Sequence, residues 1–239
     1  MNFTYESYRN LIGLLRRSGY TFANYYNYQE HSRCVILRHD IDNSLPQAVR
    51  LAELEAEEGV HSTWFVLLRT DFYNPASAAA QKVLHRIREL GHELGLHFDE
   101  MAYPDTNSTG IHAHSSTEER IRHEADILSD ICGCPITTVS MHRPSQATLE
   151  ADLDVPGMVN SYGQTFFRDF KYLSDSRRRW REPVEDIIRS GEHDRLHILT
   201  HAFWYHEQEQ DITESVGAFI RSANAERYAQ MLENITDLP

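Results

Sequence analysis

The segment Val35-Ile-Leu-Arg-His-Asp-Ile-Asp42 carries the strongest structural signal in this sequence. Its first three residues form a short apolar run, which is typical of a strand buried on both faces. Ionisable side chains follow over residues 38–42, and the next residues, Asn-Ser-Leu-Pro, are typical of a turn and a helix start. In parallel α/β folds, ligands bind where the strands end. The segment therefore predicts a functional site at the end of a buried strand.

Asp40 and Asp42 are two residues apart, so both carboxylates point to the same side of a regular strand. Carboxylates held this close repel each other unless a cation or a shared proton relieves the repulsion. The alternative is a solvated acidic loop without a function. The buried run before the two aspartates favours the functional interpretation.

Helical spacing of apolar residues alternates with short apolar runs through most of the sequence. Helices are predicted over 5–18, 44–58, 74–90, 183–189 and 212–235 and from 116 onwards, and strands over 35–42, 62–68, 93–98, 136–141, 172–173 and 196–200. This alternation predicts an α/β fold with a mainly parallel sheet. About seven strand candidates favour a (β/α) barrel, regular or distorted, over an open sheet.

At 239 residues the chain is long enough to bury a full core as one domain, 1–239. Residues 1–33 comprise a helix and an aromatic segment, which we expect to pack on the barrel. The three cysteines predict no disulfide framework. Cys132 and Cys134 lack a second cysteine pair that would complete a structural zinc site, so we interpret them as small buried apolar residues.

The chain carries 23 Lys and Arg residues against 36 Asp and Glu residues, a formal charge of −13. This balance argues against binding to nucleic acids or anionic membranes, because both need a basic surface. No apolar run is long enough to span a bilayer, and residues 1–17 lack the apolar centre of a signal peptide. We therefore expect a cytoplasmic protein without a transmembrane segment or a nucleic-acid partner.

Chemically active side chains stand at the ends of the predicted strands. If these strands are parallel, the side chains converge on one face of the fold. Imidazoles and carboxylates are ligands for zinc and other first-row divalent ions, and they are also the usual general acids and bases. A lone histidine at a strand end is more often structural, but a group of histidines beside aspartates favours a site. The side chains are His39, Asp40, Asp42, His97, Asp99, His142, Arg143, Asp175 and His201.

These residues resemble the motifs of the NodB-homology polysaccharide deacetylases, carbohydrate esterase family 4, and in particular the type found in O-antigen and surface-polysaccharide biosynthesis. Arg-His-Asp40-Ile-Asp42 resembles the first motif, whose first aspartate is the catalytic base and whose second binds the metal. Gly-His-Glu-Leu-Gly-Leu-His97 resembles the second, whose leading histidine binds the metal. The resemblance covers roughly residues 34–205, and it implies a distorted (β/α) barrel of the glycoside hydrolase–deacetylase type.

Three further segments complete the resemblance, in the family's order. His142-Arg143-Pro resembles the third motif, whose arginine supports the base. Ser-Asp175-Ser resembles the fourth, whose aspartate orients the catalytic histidine. Leu-Thr-His201-Ala-Phe-Trp204 resembles the fifth, whose histidine is the general acid.

The second motif departs from the family at Met101, where the family has another metal-binding histidine. Methionine is a poor ligand for a hard or borderline ion. We favour His142 as the replacement ligand over His39, His112 and His114. The alternatives are a packing role for His142 and a site that binds metal weakly or not at all.

The resemblance implies metal-assisted amide hydrolysis. The expected ion is a divalent metal, in the first place zinc, held by Asp42, His97 and His142. His201 would be the general acid and Asp40 the base.

Three further groups have implied supporting roles. Asp175 would orient the catalytic histidine, and Arg143 would keep the base ionised by charge proximity. A backbone amide near Ser145 would help to stabilise the oxyanion.

The implied substrate is an N-acetylated or otherwise N-acylated sugar, and we expect a nucleotide-linked or lipid-linked precursor. Trp204, Tyr205 and the tyrosines between Tyr25 and Tyr28 offer rings for sugar stacking, or else pack in the core. Two other classes stay open. One is an inactive protein of the deacetylase fold that acts by binding, and the other is a hydrolase of another amide or an ester.

Overall fold

The computed structural model describes residues 1–103 and 116–235 of the chain. All strand pairs in this part of the chain are parallel, and they form one sheet. The order across the sheet is β6-β5-β4-β3-β2-β8-β7, and β1 pairs with β2 beside this path. The strands are β1 (Thr21–Ala23), β2 (Cys34–Ile41), β3 (Thr63–Leu67), β4 (Glu93–Asp99), β5 (Thr138–His142), β6 (Val159–Asn160), β7 (Lys171–Ser174) and β8 (Arg195–Thr200).

Helices connect most of the strands and pack around the outside of the sheet. They are α1 (Tyr5–Arg17), α2 (Leu45–Glu57), α3 (Ala78–Glu89), α4 (Thr117–Cys132), α5 (Gln146–Glu150), α6 (Val184–Ser190) and α7 (Ile212–Asn234). Short 3₁₀ turns lie at Tyr28–Glu30, Glu100–Ala102, Ser176–Arg178 and Ala202–Trp204, and a π-helical turn lies at Thr165–Asp169.

The predicted α/β class and distorted barrel are confirmed: seven parallel strands curl into a half-barrel. Strand β2 occupies the centre, and all eight of its residues are buried. Its partner along one edge is β8, while β1 and β3 share the other edge. A strand enclosed in this way needs apolar residues on both faces, as the run that begins at Val35 provides.

Two apolar clusters hold the sheet in place. The larger lies between the outer face of the sheet and the helices, and it contains Leu37, Trp64 and Leu96. The smaller lies inside the curl, where Phe65 packs with Tyr25 and aromatic residues of 166–170. The aromatic segment of the first 33 residues therefore fills the amino-terminal part of the barrel interior. Burial of these side chains is the main favourable term for folding.

Helix α3 begins later than the sequence predicts. Its first residue is Ala78, and the Ser77 side chain accepts a hydrogen bond from the Ala80 amide as N-cap. Asn74 instead makes a local turn, in which its side chain accepts from the Ala76 amide at 3.0 Å. An Asn-Pro pair favours such a turn as readily as a helix start.

Within residues 1–103 and 116–235, no helix combines the length and the apolar character needed to cross a membrane.

Candidate metal centre and active site

Asp42, His97 and His142 come together at the carboxyl edge of the sheet. His97 Nε2 and His142 Nδ1 lie 3.3 Å and 3.4 Å from Asp42 Oδ1. The two imidazole nitrogens are 3.1 Å apart. The three residues are the one group of potential metal ligands with this proximity in the described part of the chain. They follow β2, lie in β4 and end β5, so the parallel sheet itself brings them to one edge.

The spacing of these three donor atoms fits a tetrahedral metal ion. Ligands bound to zinc at about 2.0–2.2 Å lie about 3.3–3.6 Å from one another in a tetrahedron. The observed separations of 3.1–3.4 Å are close to this range. Asp42 Oδ1 is also buried and accepts no well-formed hydrogen bond from the described residues. A buried carboxylate oxygen without a partner is costly unless a cation binds it.

Ser140 sets the orientation and the tautomer of His97. The Ser140 hydroxyl lies 2.7 Å from His97 Nδ1, accepts from Arg38 Nη2 at 3.1 Å and donates to Asp40 Oδ1 at 3.3 Å. Because its one hydrogen goes to Asp40, its remaining lone pair accepts from Nδ1–H of His97. The proton therefore sits on Nδ1, and the lone pair of Nε2 faces Asp42 and His142. This arrangement is the one that a metal-binding imidazole needs.

Asp40 is buried beside this group, and its charge is balanced by Arg38. Arg38 Nη2 donates to Asp40 Oδ2 at 2.7 Å, and both side chains are almost fully enclosed. His97 Nε2 lies 3.6 Å from the same oxygen. Burial favours the neutral carboxyl, but the positive charge of Arg38, and then that of His97, outweighs burial and lowers the pKa of Asp40 below its usual value.

Arg143 does not occupy the position that the resemblance implies. Its guanidinium pairs with Asp99, and 63% of its side chain is exposed. The guanidinium beside Asp40 belongs to Arg38 instead. The physical reason is the strand pleat, which places Arg38 and Asp40 on the same face of β2, whereas Arg143 lies beyond the end of β5 in a left-handed conformation with φ 50°.

The backbone amide of Ser145 also has another partner, because it donates to the Glu100 carboxylate. In this conformation it is not free to stabilise an oxyanion, in contrast to the expectation from the sequence.

His201 and Asp175 form a buried hydrogen-bonded pair. His201 Nδ1 lies 2.6 Å from Asp175 Oδ1, and the backbone amide of His201 donates to both carboxylate oxygens at 3.1 Å and 3.2 Å. The Tyr205 hydroxyl donates to Asp175 Oδ2 at 3.3 Å. Burial disfavours the imidazolium, but the adjacent Asp175 carboxylate raises the pKa of His201 to about 9. The imidazole is thus protonated at neutral pH, as a proton donor must be.

The three parts of the site are contiguous. His201 Nε2 lies 3.8 Å from Asp42 Oδ2, on the opposite side of that carboxylate group from Asp40. Burial opposes ionisation of Asp42, yet the His142 and His97 rings hold its pKa well below the usual value. An ionised carboxylate, a donor triad for a cation and a protonated imidazole therefore lie within a few ångströms of one another.

The other candidate ligands lie elsewhere or outside the described residues. Met101 is 68% exposed in the 3₁₀ turn after β4. His39 lies on the outer face of β2, where Nε2 is 2.9 Å from Glu55 Oε1 and the ring stacks on Trp64. The alternatives that were named in the loop, His112 and His114, belong to residues 104–115, which the structure does not describe.

Most of the aromatic candidates for sugar stacking pack in the core. Tyr205 and Tyr25 are 0% and 3% exposed, and Tyr26 and Tyr28 lie in the same amino-terminal segment as Tyr25. Trp204 is partly buried, and it follows His201 directly in a 3₁₀ turn. Of the named rings, Trp204 is thus the one beside the site.

Sequence reasoning missed Arg38 and Ser140 as parts of the site. Arg38 carried a readable signal, because a residue two positions before Asp40 must share its face of the strand. Ser140 stands two positions before His142 in the same way, and its register partner is His97. The pairing of β4 with β5 makes this contact, and one sequence does not reveal which strands are neighbours.

No protein-family model and no curated protein matches the chain. Solved structures do resemble the fold. A family 4 carbohydrate esterase from Bacillus anthracis is 13% identical with a TM-score of 0.43, and the likeness covers 91% of this chain and 86% of that one. A mutant of the peptidoglycan deacetylase PdaC from Bacillus subtilis is 17% identical with a TM-score of 0.42, over 85% of this chain and 96% of that one.

A family 4 pseudoenzyme from Bacillus anthracis is similar to a like extent. It is 13% identical with a TM-score of 0.45, and the likeness covers 82% of this chain and 62% of that one. The solved structures that resemble this chain thus include deacetylases and a pseudoenzyme. At this level of likeness, the function rests on the residues of the site.

Proposed function

We propose that this chain is a metal-dependent hydrolase that removes the acyl group from an N-acetylated sugar during the synthesis of a surface polysaccharide such as O-antigen. One observation carries the proposal: the Asp42, His97 and His142 triad lies between an ionised, buried Asp40 and the protonated His201. Hydrolysis of an amide needs a polarised carbonyl, a base for water and an acid for the leaving amine.

Asp42, His97 and His142 would hold a divalent cation, for which zinc is our first choice given two imidazoles and one carboxylate. Such a cation supplies Lewis acidity, which polarises an acyl carbonyl and makes water more acidic. Ser140 contributes by keeping the proton of His97 on Nδ1.

Asp40 accepts the proton of the attacking water in this proposal. Arg38 and Ser140 fix the carboxylate in place and keep it ionised, so it is ready to accept. His201 gives the proton on Nε2 to the leaving nitrogen, and Asp175 holds the opposite ring nitrogen. The resulting lone pair on His201 is restored from solvent, because its side chain is 12% exposed.

The proposed substrate is a nucleotide-linked or lipid-linked N-acetylated sugar of the cytoplasm. The support comes from the motif resemblance and from the acidic chain, which disfavours a polyanion such as nucleic acid. Hydrolysis of another amide or an ester uses the same groups.

A binding protein without catalysis is the second candidate, and Met101 favours it. The side chain at this position is exposed and offers no imidazole to the triad. The described residues therefore hold a cation with three protein ligands.

The test is release of acetate from N-acetylated sugars, N-acetylated disaccharides and O-acetyl esters by zinc-loaded protein. We expect Asp40→Asn and His201→Gln each to lower kcat by about 100-fold or more. The matched control is His85→Ala, because His85 is an exposed histidine on α3 away from this edge. Equal activity of wild type and Asp40→Asn would contradict the proposal. Metal binding without any hydrolysis would favour the binding protein.

A further inference from the structure

A strained turn beside the proposed acid presents two free arginines. The sequence Ser-Arg-Arg-Arg occupies 176–179, directly after Asp175. Arg177 and Arg178 have φ of 60° and 56°, so two consecutive residues with side chains adopt the left-handed conformation. This conformation costs roughly 1–2 kcal/mol per residue outside glycine. Backbone strain of this kind is often retained where it serves a site.

Contacts on both sides hold the turn in this conformation. The Ser176 amide donates to Ser174 Oγ at 3.1 Å, and the Arg179 amide donates to the Asp175 carbonyl at 3.1 Å. Arg178 points inward, where it donates to Glu209 at 2.7 Å and lies over the Phe3 ring. The same turn therefore fixes Asp175 for catalysis and separates the side chains of residues 177 and 179 from that of 178.

Arg177 and Arg179 are exposed, and their guanidinium groups have no partner among residues 1–103 and 116–235. Other arginines of the loops at this edge are neutralised. Arg143 pairs with Asp99, and Arg178 pairs with Glu209. In a chain of charge −13, two uncompensated guanidiniums next to the candidate active site stand out from their acidic surroundings.

Arginine is suited to phosphate, because its planar fork donates two parallel hydrogen bonds to two oxygens. Two guanidiniums on one short turn match the charge of a phosphate ester or a diphosphate better than that of a single carboxylate. The position also fits, since Asp175 hydrogen-bonds His201 and Arg177 is two residues further along the chain. A sugar whose acylated nitrogen faces His201 would carry its phosphate towards this turn.

We infer that Arg177 and Arg179 form a subsite for the phosphate of a phosphorylated saccharide. The inference rests on the proposed function, and it names the part of the substrate that this turn recognises. Nucleotide diphosphate sugars and lipid diphosphate sugars share the recognised group. The subsite therefore selects precursors that still carry phosphate, and it disfavours neutral oligosaccharides.

The test is direct binding by calorimetry to zinc-loaded protein, which needs no turnover. The probes are UDP-N-acetylglucosamine, N-acetylglucosamine 1-phosphate, a short-chain lipid diphosphate N-acetylglucosamine and neutral N,N′-diacetylchitobiose. We expect Arg177→Gln and Arg179→Gln each to weaken binding of the phosphorylated probes by about tenfold, and Arg177→Lys to restore part of the affinity. The control is Arg168→Gln, because Arg168 is exposed but precedes β7 at the other end of the strand.

Salt provides an independent readout. Raising NaCl from about 0.05 M to about 0.5 M should weaken binding of the phosphorylated probes to wild type more than to the double variant. The ratio between the three phosphorylated probes identifies the natural carrier of the phosphate.

The inference fails if the double variant binds phosphorylated and neutral probes in the same ratio as wild type, or if Arg168→Gln has an equal effect. It also fails if wild type binds none of the phosphorylated probes. Phosphate-dependent binding without hydrolysis would support the subsite and contradict the proposed function. Hydrolysis of chitobiose without a preference for phosphate would do the reverse.

Discussion

The buried pair of Arg38 and Asp40 offers the sharpest test of how this site is held together. Its N···O distance is 2.7 Å, and the side chains are 0% and 3% exposed. Arg38 also donates to Ser161 Oγ at 2.8 Å and lies over the Tyr162 ring, 4.8 Å from its centroid. The perturbation is Arg38→Met, which removes the charge and keeps an unbranched side chain.

The expected loss in the free energy of unfolding follows from burial. Removal of one partner from a buried ion pair leaves an uncompensated charge and typically costs about 3–5 kcal/mol. For a chain of this length, that loss lowers Tm by about 10 °C. An exposed pair gives the contrast, since Arg9 and Glu57 are as close, at 2.6 Å, but 42% and 57% exposed. We expect Arg9→Met to change stability by less than about 1 kcal/mol.

The effect of Arg38→Met should depend on pH in a defined direction. In wild type the pKa of Asp40 lies below its unfolded value of 3.8, so its contribution is present above that pH and lost as the pH falls. Without Arg38, burial raises the pKa of Asp40 instead, and the folded state then favours the protonated acid. The difference between wild type and variant should therefore be largest at neutral pH and shrink towards pH 4.

The assay is urea unfolding of chelator-treated protein, followed by tryptophan fluorescence and circular dichroism. A double-mutant cycle with Asp40→Asn isolates the pair, and we expect a coupling energy of about 2–3 kcal/mol. A loss below about 1 kcal/mol for Arg38→Met, or an equal loss in the Asp40→Asn background, would refute the reasoning.

Three other perturbations have definite expected results. Burial lowers the pKa of His197 to about 3, so wild-type stability should fall by up to about 4–5 kcal/mol between pH 6.5 and pH 3, and His197→Gln should flatten this slope. Asp175→Asn removes the carboxylate that raises the pKa of His201, so the His201 pKa from NMR titration should drop from about 9 to 6.5 or below, and kcat should fall by about 100-fold. Gly95→Ala places a Cβ 2.6 Å from the Phe65 ring, so unfolding experiments should show a loss of about 1–3 kcal/mol.

Each of these results has a control and a contrary outcome. An unchanged pH slope in His197→Gln would mean that this ring is not a buried neutral group. An unshifted His201 titration in Asp175→Asn would exclude the ion pair as its cause. Gly217→Ala is the control for Gly95→Ala, because only a flexible arginine side chain is close to its Cβ. Its stability should be unchanged or higher, since alanine favours a helix over glycine.

The sequence was sufficient to predict where the site would form. Residues 35–42 show a buried strand that ends in charge, and the similar ends at His97, His142 and His201 need only parallel strands to converge. Periodicity and strand-end chemistry are local properties, so one chain reveals them. The preference for His142 over Met101 was likewise a local argument about ligand chemistry, and the structure places His142 with Asp42.

Properties that depend on neighbours could not be predicted in this way. The contact of Ser140 with His97 needs the pairing of β4 with β5, and that of His39 with Glu55 needs the packing of α2 on β2. The resemblance assigned the support of Asp40 to Arg143, because motifs carry roles without showing which neighbouring guanidinium is closer. The left-handed turn at Arg177 is also invisible in sequence, since no glycine or asparagine marks it.

The central claim is that Asp42, His97 and His142 bind one divalent cation. The most direct measurement is zinc binding, by calorimetry and by metal analysis after dialysis, for wild type, Asp42→Ala and His142→Ala, with His85→Ala as control. We predict close to one zinc per chain in wild type and in the control, and affinity at least about 100-fold weaker in the other two variants. Wild-type protein that binds no zinc, nor any other divalent ion, would contradict the account. Full affinity in His142→Ala would remove His142 from the site.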